Sequence, residues 1–210
     1  MPSLPPAETY PDARRDYHIR KGVTFTANFK EEKAVGRLTE IIALRCGVCA
    51  AQARQIRTAA VLHDVGKLKI PKSVLYKPGS LTPEEFEVIK THTTLGAEML
   101  KSIQGGLGEM TRQTALYHHE HWDGGGYWGR FSDELPFYVP ITSIADVYVA
   151  PVSARSYKPG REREAALAYI KNQAGAQFNP ALVELFLPLA RNDCCARAIF
   201  ERGELFAGRY

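Results

Sequence analysis

The stretch LHDVGKLKIPKSVLYKPGSLTPEEFEVIKTHTTLGAEML, residues 62–100, decides how this chain is read. It opens on a His-Asp pair with Lys67 one helical turn further on, and crosses a turn-rich connector holding Pro71 and Pro78. It then reaches a helix start. Thr82 suits the N-cap, Pro83 the first helical position, and Glu84 and Glu85 the positive end of the helix dipole. That pattern predicts a helix from there to 103, broken by Gly105, Gly106 and Gly108.

Working outward, the periods on both sides are helical. Val35, Leu38, Ile41, Ile42 and Leu44 predict a helix over 28–45. Ile56, Ala59, Ala60 and Leu62 predict a second over 50–65, closed at Gly66. Downstream the expectation is helices at 109–121, 140–153, 162–175 and 180–190, with a loop at 123–136 carrying four glycines. Alternating strand patterns are nearly absent, and there is no internal repeat. The fold class is all-α. Residues 1–27 read as an irregular, proline-rich N-terminal extension, 28–190 as the working domain, and 191–210 as a tail able to add one more helix.

Composition bounds the rest. A chain of 210 residues that is 45% hydrophobic and 24% charged can bury a core and is not a disordered chain. The net charge of +4 fits an anionic small ligand, and with no dense Lys/Arg run it does not call for a nucleic-acid polymer. No apolar run approaches the roughly 18 residues of a membrane span, and the first residues have no signal-peptide core, so the expected place is the cytoplasm. Cys46/Cys49 and Cys194/Cys195 hold ligands in number for a structural zinc. Vicinal cysteines are poor tetrahedral partners, however, and reduced thiols are the expectation.

Five of the six histidines lie between 63 and 121, the sixth being His18. With Asp64 and Asp146 they make an imidazole and carboxylate set, which suits Fe, Mn, Zn or Ni rather than Mg or Ca. Neighbours on a helix point about 100° apart, so His63 and Asp64 cannot easily chelate one ion together. Asp64 has two oxygens and can bridge two ions while His63 binds one. Lys67 shares the face of both, and a cation there suits a phosphate.

The ordered set of residues 62–100, then HHEHWDGGGYW (118–128), ITSIADVY (141–148), SARSYK (153–158) and GAQFNP (175–180) resembles the HD-GYP family. Those are bacterial HD-superfamily phosphodiesterases associated with cyclic di-GMP. The resemblance implies an HD-domain helical bundle with extra C-terminal helices and a centre of two or three divalent ions, often iron or manganese. It further implies that a metal-activated hydroxide opens a cyclic dinucleotide. By the same resemblance His63 and Asp146 would hold one ion, His92, His118 and His119 the other, and Asp64 would bridge. Lys67, Arg155 and Lys158 would contact phosphate oxygens, and Tyr127 would form an aromatic lip over the substrate.

Three departures stand against that pattern. The family's first-helix histidine falls at Glu31 when the chain is aligned through Val35-Gly36, and Glu31 or Glu32 can supply a carboxylate there. The second Asp, three residues after Asp146, is Val149. Together with Ala27 at another expected carboxylate position, this favours two ions over three. The proline of Gly-Tyr-Pro is Trp128, which leaves that loop without a fixed φ. Two alternatives stay open beside the cyclic dinucleotide phosphodiesterase: a non-catalytic module that binds a nucleotide or protein, and a hydrolase of another phosphoester. A regulatory protein partner or a homodimer fits a chain with no visible sensor domain.

Overall fold

The computed structural model describes residues 25–154 and 159–192, together with Ile199. Among them every regular element is helical, and the only strand-like pairing is a single bridge between Ala174 and Phe178. The helices are α1 (Phe25–Arg45), α2 (Ala50–Val61), α3 (Lys72–Leu75), α4 (Pro83–Lys90), α5 (His92–Met99), α6 (Gly105–Tyr117), α7 (Tyr138–Ala154), α8 (Pro159–Asn172) and α9 (Pro180–Arg191). A 3-10 helix, Val65–Lys69, carries the residues that follow the His-Asp pair. No helix of the described residues is long and apolar enough to cross a membrane.

Helix α1 is the spine, packing on α2 along one side and α7 along the other. Its Ala34, Val35, Leu38 and Ile42 are buried against Ile144, Ala145 and Tyr148 of α7, with Leu167 and Ile170 of α8 and Phe186 of α9 closing the same core. A smaller core joins Ala53, Ile56 and Ala59 of α2 to Met110 of α6 and Tyr138 and Val139 of α7. Leu44, expected in the core by its period, is 45% exposed near the end of α1. Val149 is fully buried in the larger core, so the position one turn after Asp146 adds apolar packing rather than a ligand.

Boundaries shifted where local chemistry competed with the period. The long helix expected to 103 divides at Thr91, where Thr91, Thr93 and Thr94 each turn a hydroxyl back onto the carbonyl three residues earlier. The glycines expected to end it instead open α6. Gly105 has a φ of +74°, and a Cβ on Gly108 would lie 1.8 Å from the Ile103 carbonyl oxygen, so glycine is needed at those two positions. Helix α2 stops at Val61 rather than at 65, and Gly66 falls inside the 3-10 helix.

The α4 start is as read. Thr82 accepts the Glu85 N–H, and Glu85 accepts the Thr82 N–H at 2.7 Å, a reciprocal capping box. Thr82→Ala is expected to cost about 1 kcal/mol of stability, measurable as a lower urea midpoint with unchanged helicity.

Residues 1–24, which include His18, lie outside the described residues, as do Arg155, Lys158, Cys194 and Cys195. Cys46 and Cys49 are free and exposed at the turn between α1 and α2. Beyond α9, the buried Ile199 accepts the Arg37 Nε–H through its carbonyl at 2.8 Å, which ties that residue to α1.

Candidate metal centre

Three helix ends and two helix interiors converge on one buried cluster. His63 and Asp64 occupy the turn after α2, His92 opens α5, and His118 caps the end of α6 with His119 next. Asp146 comes from the middle of α7, and Glu32 from α1. The 3-10 helix can bring its residues against α5 because residue 66 is glycine. A Cβ there would sit 1.8 Å from the His92 carbonyl oxygen and 2.5 Å from the Gly96 nitrogen.

Each of three histidines is oriented by a backbone carbonyl. Nδ1 of His63 lies 2.7 Å from the Ala60 oxygen, and Nδ1 of His92 lies 2.7 Å from the Ile89 oxygen. Nδ1 of His118 lies 3.0 Å from the Ala115 oxygen. A carbonyl only accepts, so each Nδ1 carries the proton and each Nε2 presents a lone pair inward. Two of those nitrogens, on His92 and His118, face each other at 3.4 Å. Two lone pairs at that distance repel unless a cation lies against both. Asp64 Oδ1, His63 Nε2 and Glu32 Oε2 are likewise buried without a hydrogen-bond partner. This donor set fits a metal ion.

The set divides into two groups that share one residue. Ligand atoms of Asp64, His92, His118 and His119 all lie within 4.8 Å of one another, and so do those of Glu32, His63 and Asp64. The two Asp64 oxygens face opposite ways. Oδ1 lies 3.2 Å from His92 Nε2 and 3.7 Å from His118 Nε2, whereas Oδ2 lies 3.3 Å from His63 Nε2 and also receives Lys67 Nζ. Asp146 Oδ1 lies 3.5 Å from His63 Nε2.

Of the two carboxylates expected to serve from α1, Glu31 and Glu32, the second lies nearer the cluster. Glu32, 4% exposed, reaches the cluster with Oε2 lying 3.2 Å from His63 Nδ1, whereas Glu31 is half-buried and is not part of either group. One residue round the helix is about 100°. The α1 register that buries Ala34 and Val35 turns residue 32 toward α2.

The electrostatics show a pocket short of positive charge. Burial pushes the Glu32 carboxyl up to about 8, a group that regains its charge once a cation stands beside it. Burial alone would raise the Asp64 carboxyl, but Lys67 and His63 hold it well below the ordinary range. Burial works against a proton on His63, and Asp64 and Glu32 together outweigh it and raise its pKa. The field that favours a proton there favours a metal ion in its place. On the other side burial pushes His118 down to about 4, leaving a neutral ligand.

At the rim, the Tyr127 ring packs on His119 with centroids 4.5 Å apart and planes tilted by 31°. Lys90 Nζ stands 5.5 Å from the same ring centroid, on the α4 side. Sequence reading passed over Glu120. It is 4% exposed and accepts the Trp128 N–H and the Arg130 N–H, each at 2.7 Å. Its signal was faint, since a Glu inside a His-rich block reads as one more polar neighbour. Trp128 is 45% exposed.

The family described as HD domain matches residues 23–182. A cyclic di-GMP phosphodiesterase of Thermotoga maritima is 40% identical over 163 residues, covering 77% of this chain and 44% of that protein. A 3'3'-cGAMP-specific phosphodiesterase 2 of Vibrio cholerae is 37% identical over 163 residues, covering 74% of this chain and 31% of that protein. This chain therefore spans less than half the length of these curated relatives. Among solved structures, the HDG"Y"P protein Bd1817 from Bdellovibrio bacteriovorus superposes with a TM-score of 0.62 at 16% identity, over 77% of this chain and 52% of that one. At that identity the likeness concerns the fold.

Proposed function

This chain belongs to the HD-domain family, and from that premise we propose that it is a metal-dependent phosphodiesterase acting on cyclic di-GMP, with 3'3'-cGAMP the second candidate in the same substrate class. The observation that carries this reading is the sharing of Asp64 between two ligand groups, with its two oxygens facing opposite ways. The names of the relatives support the choice of substrate.

In this reading His63, Glu32 and Asp146 would hold one ion, His92, His118 and His119 the other, and Asp64 would serve both. Bound iron or manganese would lower the pKa of a coordinated water and neutralise charge on the phosphodiester. The protein supplies the rest. Lys67 is a fixed cation: burial opposes its charge, but Asp64, Glu32 and Asp146 raise its pKa above the ordinary value. It therefore stays charged at working pH and offers N–H bonds to a non-bridging phosphate oxygen. Tyr127 lies over His119 and gives a ring surface to a purine entering from the rim. Arg155 and Lys158 are assigned to the remaining phosphate on their sequence motif.

Anaerobically purified protein is expected to hold about two Fe or Mn per chain by elemental analysis and to open cyclic di-GMP to the linear dinucleotide. Metal below about half an ion per chain, with no turnover after loading with Mn or Fe, overturns the proposal. The α1 ligand has its own check. Glu32→Gln is expected to weaken metal retention against a chelator by at least about tenfold, whereas Glu31→Gln leaves it unchanged. Unchanged retention in Glu32→Gln would remove Glu32 from the centre.

A further inference from the structure

We propose that Glu120 is the positioning residue that sets Tyr127 at the mouth of the centre, by clamping the backbone of the loop at 123–131. This deepens the reading above and rests on it for the substrate. The loop is tied at its base, where the Trp122 N–H and Asp123 N–H donate to the Gln177 and Ala176 carbonyls at 3.1 and 3.0 Å. The first turn is held by the Gly125 N–H donating to Asp123 Oδ1 at 2.9 Å. Its far side hangs on Glu120, whose two oxygens each take one N–H, from residues 128 and 130.

That grip is close. A Cβ on Gly126 would lie 2.5 Å from Glu120 Cα and 2.7 Å from the His119 oxygen, so the loop backbone lies directly on residues 119–121. Tyr127 follows at once, between the glycine contact and the first clamped N–H. Its ring position against His119 and beneath Lys90 is fixed by those two anchors. Glu120 neighbours two candidate ligands, yet both its oxygens are engaged by the loop and it belongs to neither ligand group. Its part is the placement of an aromatic surface.

Glu120→Gln keeps the shape but turns an NH2 toward one of the two N–H donors, so one clamp bond is lost. Three results are expected. KM for cyclic di-GMP rises about tenfold, the scale of one hydrogen bond to a charged group, with kcat and metal content unchanged. Hydrolysis of bis(p-nitrophenyl) phosphate, which is too small to need the rim, stays as in the wild type. Trypsin nicking after Arg130, mapped by mass spectrometry, becomes faster. In a Tyr127→Ala background Glu120→Gln adds no further rise in KM, because it acts through that ring. Gly126→Ala, which parts the loop from residues 119–121 while keeping the Glu120 carboxylate, reproduces the KM and nicking changes and serves if Glu120→Gln fails to fold. Additive KM effects in the double variant, loss of metal in Glu120→Gln, or unchanged nicking in both loop variants overturns the inference. A wild type that does not turn over cyclic di-GMP, with nicking still faster in the variants, defeats the substrate reading and leaves the clamp standing.

Discussion

An Asp64→Asn variant is expected to lose metal from both halves of the centre at once, and turnover with it. The reason is geometric. Oδ1 faces His92 and His118 while Oδ2 faces His63 and Lys67, so one side chain serves two groups. Asparagine keeps the outline but carries no charge, and its NH2 presents protons to whichever half it faces. It also strips Lys67 of the carboxylate that raises its pKa. A single preorganised electrostatic group in an active site is worth about 10²–10³ in rate, and this one serves two ions, so a fall of at least about 10³ is expected. The control is His92→Ala, which removes a ligand from one group alone and is expected to retain the ion on the His63 side. Metal per chain by elemental analysis, with helicity checked by circular dichroism, decides it. Full metal in Asp64→Asn, or equal loss in the two variants, would mean that Asp64 does not bridge.

The convergence of these histidines was legible because it follows from side-chain chemistry and the order of short blocks. His63, Asp64, His92, His118, His119 and Asp146 come from separate segments, and the structure gathers them. What stayed hidden depends on register and on backbone partners. Glu31 and Glu32 are equivalent by composition. Choosing between them requires knowing which face of α1 meets α2, and that is set by distant packing through Val35, Leu38 and Ile42. Glu120 was missed for a related reason. Its partners are backbone N–H groups at 128 and 130, and no partner side chain appears in the sequence to betray it. Helix boundaries slipped where threonine hydroxyls or glycine contacts competed with the apolar period, at Thr91 and at Gly108. Arg155 and Lys158 lie outside the described residues, so their phosphate-binding role stands on sequence alone.

Gly66→Ala is expected to be among the most damaging single-methyl changes available in this chain, although it lies between the motif residues and binds nothing. The added Cβ would fall 1.8 Å from the His92 oxygen and 2.5 Å from the Gly96 nitrogen, both backbone atoms that no rotamer change can move. Relief requires the 3-10 helix and α5 to part. Overpacking of this kind costs about 1–3 kcal/mol, and backbone against backbone belongs at the upper end or beyond. Gly96 offers the contrast from the other side of the same contact. A Cβ there meets the Gly66 nitrogen at 3.3 Å and the Ala115 Cβ at 3.4 Å, a tight fit that small shifts relieve. Within a helix, alanine also gains up to about 1 kcal/mol over glycine, so Gly96→Ala is expected to be near neutral. Urea unfolding of metal-free protein separates the two without a contribution from bound ions. Metal content then reports the local consequence, because parting these elements moves His63 and Asp64 away from His92. A Gly66→Ala protein with the wild-type midpoint would show that the turn does not rest on α5. The convergence of the two motif blocks on Asp64 would then lose its structural cause.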